Sequence, residues 1–271
     1  MELKLNFEHS QIKTSKAMIK YPTLGKLVKK IFGYTLIGNY ARALHFKQLM
    51  KRIPKKEIND VLDLGFGYGE YLVCMARNLK NKNIQGIDPS TDQYRSVKKC
   101  IEEENLDNVH INQCYLKDLN AESGFDLIYS VDVFEHILVN EMPFKDALRA
   151  LRPGGRLVVK MPARKQITIF PSSWFQEHQK WLDEEHIGQD YELKDLEQRF
   201  KTEGFDIEYS ENSDGPLSRL AWEIGFLSRN FGNLMRLVTL PISKLLVYMD
   251  MMFFSSKSKG NSIAVIGVKP K

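Results

Sequence analysis

Cysteine is scarce. Cys74, Cys100 and Cys114 are the whole complement, odd in number, widely spaced and without a CxxC pair. That argues against a disulfide framework or a Cys-rich zinc site and points to a reducing compartment. No uninterrupted apolar run follows the start Met1-Glu2-Leu3-Lys4, so a secretory signal is not expected. No internal repeat and no low-complexity tract is visible. Acidic residues are nearly missing from residues 1–56, where Glu2 and Glu8 face 13 Lys/Arg, a local charge of +11; the remainder carries 26 basic and 32 acidic residues, or −6. A basic arm on an acidic body fits an anionic partner: a membrane surface, a nucleic acid or an acidic substrate. It also fits a Lys-rich solvated helical face, and both readings stay open. What is present is ample for a sizeable core, since 43% of the 271 residues are hydrophobic and 27% charged. That suits a cytoplasmic chain with one large α/β domain, or one domain with a substantial insertion.

Residues 58–162 alternate short apolar runs with helical stretches. Strands are expected at 58–64 (INDVLDL), 83–88, 109–115, 125–131 (FDLIYSV) and 156–161 (RLVVKM). Helices are expected at 69–80, 91–104 and 141–151, with a tight turn at Arg152-Pro153-Gly154-Gly155. This alternation predicts a parallel sheet covered on both faces, a doubly wound α/β fold. A helix at 192–203, a strand at 205–210 and a last strand at 262–269 follow. The expected organisation is a basic helical cap over 1–57 and a main domain over 58–271 with a helical insertion at 211–261.

Val61-Leu62-Asp63-Leu64-Gly65-Phe66-Gly67-Tyr68-Gly69-Glu70 carries the clearest signal. A strand runs into a glycine-rich loop that opens a helix, and glycines let backbone approach a ligand closely. The spacing is GxGxG rather than the GxGxxG of dinucleotide folds. Asp63, still on the strand, would repel a pyrophosphate but suits a ligand carrying an ammonium group. Asp88, at the end of the second strand in Gly86-Ile87-Asp88-Pro89-Ser90, stands where a carboxylate can accept ribose hydroxyls. By itself it is equally a turn residue before Pro89.

VLDLGFGYGEYL, IQGIDPS, FDLIYSVDVFEHI and LRPGGRLVVKMP, in this order over residues 58–162, resemble the class I S-adenosylmethionine-dependent methyltransferases that act on small molecules such as quinones and lipids. The resemblance implies a seven-stranded sheet of order 3-2-1-4-5-7-6 with the last strand antiparallel. It implies S-adenosylmethionine as cofactor, with Asp63 near the methionine ammonium, Gly65, Gly67 and Gly69 against the ligand, Asp88 with Pro89 at the ribose, and Tyr115, Leu116 and Val131 bordering the adenine pocket. Relatives often place an Asp near Gln113-Cys114-Tyr115-Leu116; this chain has Tyr115 there, which leaves the adenine partner open between a phenol, a backbone amide and Asp118.

Methyl transfer needs in-line placement and, for a hydroxyl or acidic carbon, removal of a proton. Asp132, Glu135 and His136 follow the fourth strand. His136 is the candidate base, while Glu135 is expected to pin the next helix; whether a metal takes part is open. His186 is a second candidate, with His178 less placed. Trp174, Phe175 and Trp181 can wall a hydrophobic pocket or pack a loop. Residues 24–53 form a basic, apolar, helical stretch able to lie on an anionic membrane. In the 211–261 insertion, residues 234–254 are apolar but interrupted by Arg236, Pro241, Lys244 and Asp250, which predicts two shorter helices broken at Pro241 rather than a spanning helix. The preferred reading is a methyltransferase of a small, lipophilic or membrane-associated acceptor, by O- or C-methylation, at the inner membrane face. The alternatives are an RNA or protein methyltransferase, against which the absence of an Asn/Asp-Pro-Pro-Tyr/Phe segment and of a Pro-Cys pair argues, and an oxidoreductase or silent nucleotide-binding module.

Overall fold

A parallel strand pair needs a crossover, and a helix serves because it buries its own apolar stripe on the sheet it returns to. The computed structural model, which describes residues 1–4, 21–185, 191–254 and 259–271, follows that logic throughout the centre of the chain. The elements run α1 (Pro22–Phe32), α2 (Ile37–Lys51), β1 (Asp60–Leu64), α3 (Glu70–Asn78), β2 (Asn83–Ile87), α4 (Thr91–Glu104), β3 (Val109–Asn112), β4 (Phe125–Val131), α5 (Phe144–Ala150) and β5 (Leu151–Pro162). They continue as α6 (Gln176–Glu185), α7 (Leu193–Thr202), β6 (Asp206–Ser213), α8 (Pro216–Leu227), α9 (Gly232–Phe253) and β7 (Ser262–Val268).

The seven strands form one sheet of order β3-β2-β1-β4-β5-β7-β6, the order expected from the sequence. β7 lies antiparallel between β5 and β6, and the other neighbouring pairs are parallel. Alternation along each strand divides the core in two. Val61, Tyr129 and Val158 meet Phe46, Leu49 and Met50 of α2 and Leu72 and Met75 of α3 on one face. Leu62, Ile128, Leu157 and Val159 meet Phe144, Leu196 and Phe200 on the other. Such a buried side chain contributes roughly 1.5–3 kcal/mol of transfer free energy.

Several boundaries move. The third strand stops at Asn112. The fourth is followed by two short 3-10 turns, Phe134–His136 and Val139–Glu141, so the next helix starts only after Pro143. The turn at 152–155 is a bulge within β5, because Leu151 pairs with Phe125 while Arg156 already pairs with Leu127. The basic stretch 24–53 is two helices, parted where Gly33 takes φ +61°.

Residues 232–253 correct the expectation of a break at Pro241: α9 is one helix with Pro241 inside it. An interior proline costs about 3 kcal/mol through its missing N–H and its ring. Here Pro241 sits on the exposed side, and Leu240 and Val247 on the inner side are buried against Ile37, Ala41 and Ala221 of α2 and α8. That packing holds both halves in line. Among the described residues no helix is long and apolar enough to cross a membrane.

Candidate active site

In a doubly wound sheet the ligand crevice opens beyond the carboxyl ends of the strands, where strand order reverses. Here that point lies between β1 and β4. β1 ends in the loop Gly65–Gly69, whose three glycines take φ +81°, +53° and +77°. The amides of Gly65 and Phe66 both donate to the Ile87 carbonyl, at 2.9 and 3.2 Å, so the loop is tied to the end of β2. The Phe66 ring is buried in the core beneath it. Gly65 and Gly67 differ in surroundings. A Cβ on Gly65 would meet Val133 Cγ2 at 2.6 Å, whereas a Cβ on Gly67 would meet nothing within 4 Å. Gly67 therefore exposes backbone to open space, the cradle a bound ligand needs.

Asp88 stands beside that cradle, buried to 6% exposure. Its two oxygens accept from Gly67 N and Ser90 N, each at 2.9 Å, and the Gln93 amide meets them at 2.9 and 3.0 Å. Burial pushes its carboxyl up, and the Ser90 and Gly67 amides oppose that. These contacts fill the roughly four lone-pair sites of the carboxylate, so a ligand hydroxyl would bind there by displacing the Gln93 amide. Pro89 is exposed, and Ser90 after it caps α4 through Gln93 N at 3.4 Å. Leu116 and Val131 are buried while Tyr115 is 59% exposed. The Asp118 carboxylate accepts from Tyr115 N at 3.3 Å and so holds that rim.

Asp63 is 2% exposed and accepts from the Tyr129 hydroxyl at 2.9 Å. Burial pushes its carboxyl up to about 8, opposed by hydrogen bonds from Tyr129 and the Leu72 backbone. Both partners belong to the scaffold, so in this structure Asp63 ties β1 to β4 and to the start of α3.

Next to the loop opens a cleft of about 520 Å³. Asp132, Glu135 and His136 from the end of β4 line it, with Arg42 of α2, His178 and Trp181 of α6, and Trp222 of α8. Arg42 Nη1 lies 3.0 Å from Asp132 Oδ2. Glu135 is 2% exposed and its Oε2 has no hydrogen-bond partner among the described residues. Burial first, then the charge of Asp132, raises its carboxyl well above the ordinary range, against the opposing charges of Lys160 and Arg42. His136 is exposed on the rim of the same cleft.

Behind the cleft runs a chain of buried charges. Lys160, near the carboxyl end of β5, is 1% exposed. Its Nζ lies 3.6 Å from Asp132 Oδ1, 3.8 Å from Asp214 Oδ2 and 3.3 Å from Ser262 Oγ. His45 Nε2 lies 3.1 Å from Asp214 Oδ1, and Ser262 donates to Asp214 Oδ2 at 2.6 Å. Although burial raises Asp214, the neighbouring His45 and Lys160 hold it well below the ordinary carboxylate range. Asp132 and Asp214 both have left-handed backbone, φ +54° and +55°. That conformation costs an L-residue roughly 1–2 kcal/mol, and strain of this kind clusters at functional sites.

The structure thus brings the Gly65–Gly69 loop and Asp88 together at the ends of β1 and β2, and places His136 on the rim of the neighbouring cleft. His186 lies outside the described residues. Phe175 is buried against Trp222 and Phe226, so it packs the loop, and Trp174 is exposed on Phe170; only Trp181 of the three aromatics walls the cleft. Sequence reading gave Glu135 a pinning role and passed over Lys160 and Asp214. The lysine inside the apolar run RLVVKM was the available signal, because an unpaired lysine does not survive in a buried strand. Among the described residues no group of three His, Cys, Asp or Glu side chains is arranged to hold a metal.

Residues 61–155 match the family model described as "Methyltransferase domain". Trans-aconitate 2-methyltransferase of Azoarcus sp. (strain BH72) is 28% identical over 116 residues, covering 43% of this chain and 44% of that protein. Phosphoethanolamine N-methyltransferase 1 of Triticum aestivum is 26% identical over 218 residues, 78% of this chain and 41% of that protein. The chain thus spans less than half the length of these two curated relatives. Among solved structures, Haemonchus contortus phosphoethanolamine N-methyltransferase 2, in complex with phosphomonomethylethanolamine and S-adenosylhomocysteine, superposes with a TM-score of 0.60 at 22% identity, over 99% of this chain and 61% of that one. At that identity the likeness speaks to the fold.

Proposed function

We propose that this chain, whose residues 61–155 form a class I methyltransferase domain, transfers the methyl group of S-adenosylmethionine to a small acceptor with an apolar body. The observation that carries the reading is the junction of two features. An open cradle at Gly67 beside Asp88 would hold the cofactor, and the adjoining cleft offers a buried carboxyl oxygen, Glu135 Oε2, with no partner among the described residues. The residues present fit the cofactor: Gly65–Gly69 for close backbone approach, Asp88 for the ribose, Leu116 and Val131 for an apolar ring. When bound, the cofactor supplies an activated methyl on a sulfonium.

The rest falls to this chain's own side chains. Trp181 and Trp222 would hold the apolar part of the acceptor, since aromatic walls bury much area at small entropic cost. Asp132, fixed between Arg42 and Lys160, keeps the end of β4 in place. Glu135 Oε2 would accept the acceptor's proton as the new bond to oxygen or carbon forms, and His136 at the rim would pass it to solvent. Burial makes the ionised carboxylate a stronger base than an exposed one. Glu135 Oε2 also suits a second reading, N-methylation of an amine, in which the same oxygen accepts from the N–H. A lipophilic acceptor would be met at a membrane face.

The test uses purified protein, methyl-labelled S-adenosylmethionine and a whole-cell lysate, followed by organic–aqueous partition. Label in the organic phase is the expected result. Label only in the aqueous or macromolecular fraction overturns the lipophilic acceptor and turns attention to a polar amine, RNA or protein.

A further inference from the structure

Among the described residues, none covers the outer face of α9. At 100° per residue, Leu234, Met235, Val238, Ile242, Leu245, Tyr248, Met252 and Phe253 fall within an arc of roughly 140° along a helix about 33 Å long. All eight are exposed, by 42–76%. The helix's charged residues stand elsewhere. Asp250 is buried and accepts from the Gly215 and Leu217 amides at the start of α8, and Lys244 reaches the Phe32 carbonyl at the end of α1. Arg236 is partly buried and, at 100° per residue, falls on the inner side with Leu240 and Val247. The outward stripe from Leu234 to Phe253 is therefore uncharged over six turns.

The Lys244 contact sets α1 beside this stripe. α1 adds Leu27 and Ile31, 53% and 65% exposed, one turn apart on the same side, and Lys26 and Lys30 are exposed next to them. Within α1 and α9 there is no acidic side chain besides the buried Asp250. An apolar stripe flanked by lysines, on helices that do not span, is the pattern of a surface that beds into the headgroup region of an anionic bilayer.

We infer that the α1/α9 face docks flat on an anionic lipid surface. Charge selects this occupant over a second copy of the chain. A two-fold contact through the stripe would set one copy's Lys26 and Lys30 near their own images, whereas anionic headgroups neutralise them. The inner sides of the same layer face the cleft: Ile37 and Ala41 of α2 and Trp222 of α8 pack with Leu240 and Val247 of α9, and Trp222 lines the cleft. Docking would put the cleft within one helix layer of the lipid. The inference extends the lipophilic-acceptor reading, but its evidence is independent of any methyl transfer.

The experiment is flotation of the full chain with vesicles of phosphatidylcholine alone and of phosphatidylcholine with phosphatidylglycerol, with oligomeric state followed by light scattering. The expected result is flotation with the anionic vesicles only, weakened by salt. Ile242→Glu with Leu245→Glu should lower the floated fraction about tenfold or more, and Lys26→Glu with Lys30→Glu should lower it too. Both pairs are exposed, so thermal unfolding and S-adenosylhomocysteine binding should stay as in the parent chain. No flotation, or flotation equal on neutral vesicles, overturns the inference. A stable dimer that Ile242→Glu with Leu245→Glu converts to monomer, without vesicle binding, overturns it in favour of a second copy. Loss of methyl transfer with flotation intact refutes the proposed activity and leaves this inference standing.

Discussion

Gly65→Ala and Gly67→Ala change the same loop by the same single methyl group, and the structure expects opposite consequences. At Gly65 the new Cβ would lie 2.6 Å and 2.8 Å from the two Val133 methyls on a backbone at φ +81°. The left-handed backbone costs roughly 1–2 kcal/mol, and overpacking against the Val133 side chain adds about 1–3 kcal/mol. A total of about 2–5 kcal/mol lowers the melting temperature by roughly 4–20 °C for a chain of this size. At Gly67 the backbone sits at φ +53°, inside the region an L-residue can occupy, and the Cβ meets nothing within 4 Å. Only the backbone cost of about 1–2 kcal/mol applies, a few degrees. The methyl would nevertheless project into the cradle, so affinity for S-adenosylhomocysteine should fall at least tenfold. Differential scanning calorimetry and isothermal titration calorimetry on both variants give the four numbers needed. If Gly67→Ala binds the ligand as tightly as the parent chain, the space beside Gly67 is not where the cofactor lies and the site assignment fails.

Lys160→Met leaves Asp132 and Asp214 without the buried cation between them; breaking a buried ion pair from one side costs about 3–5 kcal/mol, to be read as a large drop in melting temperature, and an unchanged melting curve would show that the network contributes nothing. Asp88→Ala removes the acceptor for the Gly67 and Ser90 amides at 2.9 Å, so it should destabilise by about 1–3 kcal/mol and abolish ligand binding, and normal binding would exclude the ribose role. Asp63, raised by burial to about 8, holds its proton in the folded chain over a range where the unfolded chain has lost it. Stability should therefore fall as pH rises from the ordinary carboxylate range toward 8, by about 1.4 kcal/mol for each pH unit this group controls, and Asp63→Asn should flatten that slope in pH-dependent melting; an identical slope in the variant would refute the assignment. Glu135→Gln should lower kcat about 100-fold or more with cofactor affinity unchanged, while His136→Ala should lower it less; the reverse order would move the base to the rim.

The four ordered segments between residues 58 and 162 carried the resemblance that implied the sheet order, and within them each strand is coupled to the loop and helix that must follow it. Gly65, Gly67 and Asp88 were legible for the same reason: local backbone needs are written locally. Helix starts after β4 and the continuity of α9 through Pro241 were less legible. They depend on what the segment packs against, and α9 runs straight because α2 and α8 hold both halves. The candidate chemistry beyond the cofactor loop was visible only in part. His136 and Trp181 line the cleft, whereas Phe175 packs the loop; the sequence left both outcomes open for the aromatics, since an aromatic residue in a loop serves equally to line a pocket or to fill the space under it.

By itself, then, the sequence determined the periodicity of its strands and helices and the glycine positions where the backbone turns through left-handed φ, since both are set by neighbours a few residues away. The tertiary structure alone decided which charges meet. His45, Asp132, Lys160, Asp214 and Ser262 come from α2, the ends of β4 and β6, β5 and β7, and they become one network only when the sheet sets those ends side by side. The same is true of the bare face of α9: an apolar helix reads alike whether it is buried or exposed, and only packing against α2 and α8 determines which side is left to meet something else.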